Sequence, residues 1–190
     1  QDFYYYPNVC KFLGFWGSLD YHHIIYANVY DTASSMLFEE TLEISDAGSL
    51  EFNGIYNELL DTSEPIVYIM PLHTQLIIYK KNSISIATVN PSGGNTEPFT
   101  IREGVVNGIG CPAGRTIQNI GAAHILYTGD DIIIFDGYQT VSLTTGNINY
   151  ILAGINKSYA HRSFSFLLPE QTLYCLFVPW DTSEYPNYCL

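Results

Sequence analysis

Short apolar runs alternate with polar turns along most of this chain. The clearest unit extends from Ile66 to Ala87, where two apolar runs flank a polar turn at Lys81–Ser83. Short runs of β-branched and aromatic residues around such a turn are typical of a β-hairpin. The spacing therefore predicts antiparallel strands.

This unit recurs 48 residues later, from Gly114 to Phe135. The apolar positions coincide in pairs, namely Ile69 with Ile117, Leu72 with Ile120, Ile77 with Ile125, Ile78 with Leu126, Tyr79 with Tyr127, Ile84 with Ile132 and Ile86 with Ile134. A strand repeat of about 40 to 50 residues is typical of β-propeller blades. We therefore expect an all-β fold, a β-propeller-like array of antiparallel hairpin blades that forms a complete or a partial propeller. A β-sandwich whose hairpins match by chance is the alternative.

The organisation predicted along the chain is one domain over residues 1–190. Blade-like hairpins are expected at about 11–31, 65–90, 112–143 and 160–180, and an acidic connection that carries one further strand pair at 32–64. Residues 144–159 are expected to hold a short helix or a turn. The chain begins with Gln1 rather than methionine and ends in an aromatic stretch, which suggests a fragment of a longer chain.

The charge of the chain limits its partners. Nineteen acidic residues oppose seven basic ones, for a net charge of −12, and Lys11 is the only base before Pro65. Such a surface repels phosphates, so sequence-specific nucleic-acid binding is not expected. The acidity suits either a surface past which DNA slides or simple solubility. The sequence contains no apolar run long enough to span a membrane.

Residues that could carry chemistry are scattered rather than clustered. The cysteines Cys10, Cys111, Cys175 and Cys189 have no metal-site or thioredoxin spacing, and their disulfide state stays open. The histidines, including His124, do not fall at ligand spacing on one face. We therefore predict no catalytic centre, no metal and no cofactor.

One structural motif stands out at 108–137. Cys111 and Pro112 lie in a glycine-rich stretch that predicts a sharp bend entering a strand, with Arg115 as a hydrogen-bond anchor. Asp131 belongs to a predicted hairpin turn, and Asp136–Gly137 to a turn that ends a strand.

The same stretch resembles β-propeller structural proteins of tailed-bacteriophage necks and tails (hub, nozzle or adaptor type), over about residues 13–143. The matching positions are Lys80, Lys81, Ser83 and Ile84, then Gly110, Cys111, Ala113, Arg115 and Thr116, then Leu126, Tyr127, Asp131, Ile134, Asp136 and Gly137. The chain departs from the family pattern at Gly114, where proline is common, and at Asp130–Asp131, which replaces a residue-Asp-Gly turn.

The resemblance implies a non-enzymatic structural subunit of the virion, in a homo-oligomeric neck or tail ring. Its partners would be other virion proteins, and genomic DNA would meet it only in transit. A free-standing propeller that binds a protein or a glycan through aromatic loops such as Trp180–Tyr185 is the main alternative. A propeller glycosidase is a weaker one, because it needs carboxylates that converge in a pocket.

Overall fold

A computed structural model describes residues 9–18, 21–32, 34–46, 48, 55–58, 64–90, 99–144 and 146–190. Antiparallel sheets dominate these residues, so the predicted all-β class is confirmed. A short helix α1 (Asn147–Ala153) and short 3-10 segments at Gly114–Thr116, Lys157–Arg162 and Pro169–Gln171 connect the strands. Within the described residues, no helix is both long and apolar enough to cross a membrane.

The described strands form four sheets. The first sheet contains β1 (Val9–Ser18), β2 (Tyr21–Asp31), β3 (Met36–Ile44) and β4 (Ile55–Glu58). The second sheet contains β5 (Ile66–Leu72), β6 (Gln75–Lys80), β7 (Ser83–Val89) and β8 (Phe99–Asn107). The third contains β9 (Gln118–Asn119), β10 (His124–Tyr127), β11 (Ile132–Phe135) and β12 (Thr140–Ser142). The fourth contains β13 (Phe164–Leu168), β14 (Leu173–Val178) and β15 (Tyr188–Cys189).

In every sheet the strands lie side by side in chain order, and each pair of neighbours is antiparallel. The predicted hairpins are therefore confirmed. The acidic segment 32–64 carries one further strand pair, as expected, because β3 and β4 are antiparallel neighbours. Since β3 also pairs with β2, this pair belongs to the first sheet rather than to a separate connection. Residues 144–159, expected to hold a short helix or a turn, contain α1 and the start of a 3-10 segment.

The core lies between consecutive sheets. The cluster between the first and second sheets includes Trp16, Leu42, Ile69 and Ile78. The cluster between the second and third sheets includes Ile77, Tyr79, Leu126 and Phe135. The cluster between the third and fourth sheets, which α1 also joins, includes Ile125, Tyr127, Leu152, Leu176 and Val178. The sheets therefore stack face to face in chain order.

The middle strands show why this stack needs apolar residues at consecutive positions. On β6, Leu76 and Ile78 point to the first sheet, whereas Ile77 and Tyr79 point to the third. Successive side chains of a strand point to opposite faces, so a strand with both faces covered is apolar throughout. The run LIIY in β6 and the run HILY in β10 are fully buried for this reason.

The 48-residue correspondence holds for most of the predicted pairs, because the second and third sheets share one strand order. It fails at Leu72 and Ile120: the first is buried, and the second is exposed at the end of β9. It also fails for the fourth strand, since a shift of β8 by 48 residues falls on α1. Strands β5, β6 and β7 of the second sheet therefore correspond to β9, β10 and β11 of the third sheet.

Candidate functional site

The bend at 110–116 links three of the sheets. The Cys111 amide donates a hydrogen bond of 2.9 Å to the carbonyl oxygen of Lys80, at the end of β6. A side chain at Gly110 would collide with the backbone of Lys80 and Lys81. Glycine is therefore required there, because it lets the bend lie directly against the second sheet.

The Cys111 thiol is enclosed by the bend itself. It donates to the carbonyl oxygen of Ala113 at 3.1 Å, and its sulfur lies 3.5 Å from Oγ1 of Thr116. Burial raises the pKa of this thiol to about 11, and its contacts with Thr116 and Ala113 offset only part of that rise. The thiol is therefore protonated and inert near neutral pH, since the thiolate is the reactive form.

Thr116 connects the bend to the third and fourth sheets. Its hydroxyl donates to the carbonyl oxygen of Ala113 at 2.7 Å and accepts from the Tyr127 amide at 3.4 Å. Its own carbonyl oxygen accepts two hydrogen bonds from the fourth sheet, from Ser165 Oγ at 2.9 Å and from the Tyr174 hydroxyl at 2.7 Å. Buried polar groups need such partners, so Thr116 fixes how these sheets pack.

Arg115 lies at the outer edge of the same bend. Its guanidinium carbon is 5.5 Å from the centroid of the Phe164 ring on β13. The Arg115 side chain therefore makes a cation–π contact with an aromatic face of the fourth sheet. Arg115 brings a positive charge to the outward side of the fourth sheet.

The predicted turn residues Asp131 and Asp136–Gly137 lie at opposite ends of β11. The Thr128 amide donates to the carbonyl oxygen of Asp131 at 2.9 Å, and Pro112 packs against this turn at Gly129. One Asp136 carboxylate oxygen accepts from the Gln139 amide at 2.8 Å and from the Tyr138 amide at 2.9 Å. These two hydrogen bonds lower the pKa of the Asp136 carboxyl, and the one from the Gln139 amide has the larger effect.

Gly137 takes the left-handed conformation, with φ of 94°. A side chain at this position would also meet the Gln75 side chain at 2.9 Å. Both the backbone conformation and the space therefore favour glycine at this turn. In the described part of the chain, His, Cys, Asp and Glu side chains do not come together in groups of three that could hold a metal ion.

The first and fourth sheets each have one side that no other sheet covers among the described residues, and we call it the outward side. On β1, Phe12 and Trp16 pack inward, whereas Leu13 and Phe15 are 57% and 63% exposed. The register places Leu13 opposite Tyr26 and Phe15 opposite Ile24, which share the outward side. We name the outward side formed by Leu13, Phe15, Ile24 and Tyr26 the N-terminal end face.

The fourth sheet exposes a similar apolar surface on its outward side. Ser165, Leu167, Leu176 and Val178 point inward, and the residues between them point outward. The Phe177 ring stacks with Phe164 at 4.9 Å and with Phe166 at 5.6 Å between centroids. We name this outward side the C-terminal end face; its members are Phe164, Phe166, Leu168, Leu173, Cys175 and Phe177.

The cysteines are all free thiols. Cys175 is half-buried on the C-terminal end face, where it contacts Cys189 on β15. Cys10 instead lies in the first sheet beside the Ala27 backbone. Sequence reasoning placed Cys175 among buried apolar residues, but the outward side of β14 leaves it partly accessible.

The comparisons with known proteins identify no relative: neither a protein-family model nor the sequence of a curated protein matches the chain. Sequence reasoning had singled out the bend at 110–116, but it missed the two end faces. Alternation in Ser163–Phe166, against the continuous apolar run of β6, indicates a strand with one open side, but it does not say that the phenylalanine side is the open one.

Proposed function

We propose that the sheets are blades of a β-propeller, complete or partial, and that the chain is a non-enzymatic structural subunit of a phage virion. The observation that carries this proposal is the stacking of antiparallel sheets in chain order, with an apolar cluster at each junction. Radial repetition of four-stranded sheets is how a propeller is built.

The position proposed for this subunit is a neck or tail ring around the DNA conduit. The resemblance of residues 13–143 to neck and tail proteins supports this location. The acidic first sheet supports it as well, because carboxylates repel phosphates and leave DNA little to adhere to. That repulsion acts over about 8 Å at physiological salt.

The buried groups also support a structural role. Cys111 is a protonated thiol enclosed by its own bend, and Thr116 is occupied in joining sheets. Both residues hold the stack together. The work of such a subunit would be protein–protein contact, for which exposed aromatic and aliphatic surface is suited.

The proposal is tested by quantitative mass spectrometry and electron microscopy of purified phage particles that encode the chain. We expect peptides of the chain in the particle, at a fixed copy number that matches a ring seen in the neck or tail. A host-cell or free soluble protein that never co-purifies with particles would refute the virion role.

A binding module is the second candidate, and one surface feature favours it. The Arg162 guanidinium lies between the Tyr159 and Tyr185 rings, 4.7 Å from each centroid, and Tyr185 remains 68% exposed. Rigid aromatic side chains of this kind supply contact area at low entropic cost. Binding of a defined protein or glycan by the isolated chain, lost in Tyr185→Ala and kept in Tyr138→Ala, would favour this candidate.

A further inference from the structure

Two thiols meet on the outward side of the fourth sheet. Strand β15 pairs with β14 so that Cys189 lies opposite Phe177 and Tyr188 opposite Val178. Cys175 precedes Phe177 by two positions on β14, so its side chain and that of Cys189 point to the same side of the sheet. The two cysteines are therefore diagonal neighbours on adjacent strands.

The two side chains make contact across this diagonal. A hydrogen bond joins the thiols, and both are free rather than bonded to each other. Burial raises the pKa of the Cys189 thiol, and the neighbouring Cys175 raises it further, because two thiolates side by side repel each other. The pair therefore loses one proton before the other, and one thiolate then faces one thiol.

The two thiols differ in their exposure. Cys189 is exposed on a two-residue strand at the edge of the sheet, whereas Cys175 is half-buried opposite Phe166. A reagent in solution therefore meets Cys189 first, and Cys175 is placed to react second.

We propose that Cys175 and Cys189 form a reversible disulfide that fixes β15 to β14, and that the oxidant is a small disulfide such as oxidised glutathione. The Cys189 thiolate attacks one sulfur of glutathione disulfide, whose S–S bond breaks, and one glutathione leaves as a thiolate and takes a proton. The Cys175 thiolate then attacks the Cys189 sulfur, the protein disulfide forms, and the second glutathione leaves in the same way. Two protein thiols are oxidised and one reagent disulfide is reduced, so atoms and electrons balance.

The bond would limit the motion of β15. This strand is held by two paired residues and by reciprocal backbone hydrogen bonds of 2.9 Å and 2.8 Å between Leu176 and Leu190. A covalent bond prevents β15 from separating from β14, and it closes the segment that contains Trp180, whose ring stacks on Tyr188. The inference goes beyond the proposed virion role and does not depend on it, because it concerns two residues of a single chain.

The first experiment equilibrates the chain with mixtures of reduced and oxidised glutathione, quenches with acid and maps thiols and disulfides by peptide mass spectrometry. The wild-type chain should form the internal disulfide between Cys175 and Cys189 at least about tenfold in excess of any pairing with Cys10 or Cys111, because contact gives the two thiols a high effective concentration. Dithiothreitol should return both to free thiols. Cys10→Ser is the matched control: it removes another half-buried strand thiol, and the disulfide should form as in wild type.

Two single substitutions test the order of the two attacks. Cys175→Ser removes the second thiol, so Cys189 should accumulate as a mixed disulfide with one glutathione. Cys189→Ser leaves only the half-buried thiol of the pair, which should take up glutathione at least about tenfold more slowly. Circular dichroism checks that both variants are folded. Disulfide mapping in the wild-type chain needs no variant, so it decides the proposal if either variant fails to fold.

Hydrogen exchange measures the effect on β15. The Leu190 amide donates to the carbonyl oxygen of Leu176, so its exchange reports local opening of the strand. This amide should exchange at least about threefold more slowly in the oxidised chain than in the reduced chain. The amide of Ile77 on β6 is the control, because it lies in the second sheet and should exchange equally in both forms.

Three results would overturn the proposal. The first is a wild-type chain that keeps glutathione on Cys189 and never forms the internal bond. The second is a set of disulfides between chains in place of the internal one, seen by electrophoresis without reductant. The third is equal exchange of the Leu190 amide in both forms, which would show that the bond does not fix β15.

Discussion

The Tyr79 hydroxyl and the His124 ring meet across the junction of the second and third sheets, with the oxygen 2.8 Å from Nδ1. The other ring nitrogen, Nε2, lies 3.1 Å from the carbonyl oxygen of Pro71. A carbonyl only accepts, so Nε2 carries the proton, and Nδ1 accepts from Tyr79. His124 is therefore held in its neutral form, and burial lowers its pKa to about 4.

This arrangement predicts a pH dependence of stability. The pKa of His124 is about 6.5 when the chain is unfolded and about 4 when it is folded, so the unfolded state binds more protons between these values. The free energy of unfolding should be highest above pH 6.5 and fall by about 2 to 3 kcal/mol toward pH 4 through this residue. Urea unfolding at a series of pH values measures the effect.

The variant His124→Gln isolates this contribution, because glutamine has a donor and an acceptor but does not titrate. Its stability should depend less steeply on pH in the same window than that of wild type. Equal slopes for wild type and His124→Gln would contradict the prediction.

Burial between the sheets predicts that truncating two aliphatic residues of the third sheet lowers the free energy of unfolding by different amounts. Ile132 packs into the cluster between the third and fourth sheets, so Ile132→Ala should lower the free energy of unfolding by about 2 to 5 kcal/mol. Val141 lies on β12 and is 51% exposed, so Val141→Ala should cost less than about 1 kcal/mol. Denaturant unfolding of both variants gives the comparison, and equal losses would mean that β11 does not face the fourth sheet.

The hydrogen bonds of the Thr116 hydroxyl should contribute to the free energy of unfolding, and a substitution of equal volume measures that contribution. Thr116→Val keeps the shape but removes the hydrogen bond to the Ala113 carbonyl oxygen and the one from the buried Tyr127 amide. A loss of about 1 to 3 kcal/mol in the free energy of unfolding is expected. Thr100→Val, at an exposed strand position, should be close to neutral. A neutral Thr116→Val would show that this hydroxyl does not fix the junction.

The sequence allowed the second and third sheets to be predicted well, because both faces of their strands are covered. Continuous apolar runs such as Leu76–Tyr79 and Ile125–Tyr127 indicate buried strands when turns that contain Gly, Asn and Asp bound them. The first sheet was harder. Strand β3 begins with exposed Met36–Phe38 and ends with buried Leu42–Ile44 around a bulge, so its alternation is broken.

The end faces could not be assigned from sequence for a different reason. Phe12, Leu13, Phe15 and Trp16 are all apolar, and only the packing of the second sheet decides that Phe12 and Trp16 are covered. The role of Arg115 was likewise set by tertiary structure, because Phe164 lies on a strand that follows 49 positions later. The local sequence pattern predicts that a strand forms, but the packing of the neighbouring sheet decides which side of that strand stays exposed.

The four thiols should differ in their rates of alkylation. Cys111 is fully buried with a pKa of about 11, so it should be the slowest to react with iodoacetamide in the folded chain at mildly alkaline pH. Cys189 is exposed on β15 and should react fastest. Cys10 and Cys175 are partly accessible and should fall between these two. Peptide mass spectrometry over a time course resolves each site.

Alkylation in denaturant is the control for this order, because unfolding removes both the enclosure of Cys111 and the burial that raises its pKa. All four sites should then react at similar rates, so any difference in the folded chain reports structure rather than peptide chemistry. Rapid modification of Cys111 in the folded chain would contradict the bend at 110–116.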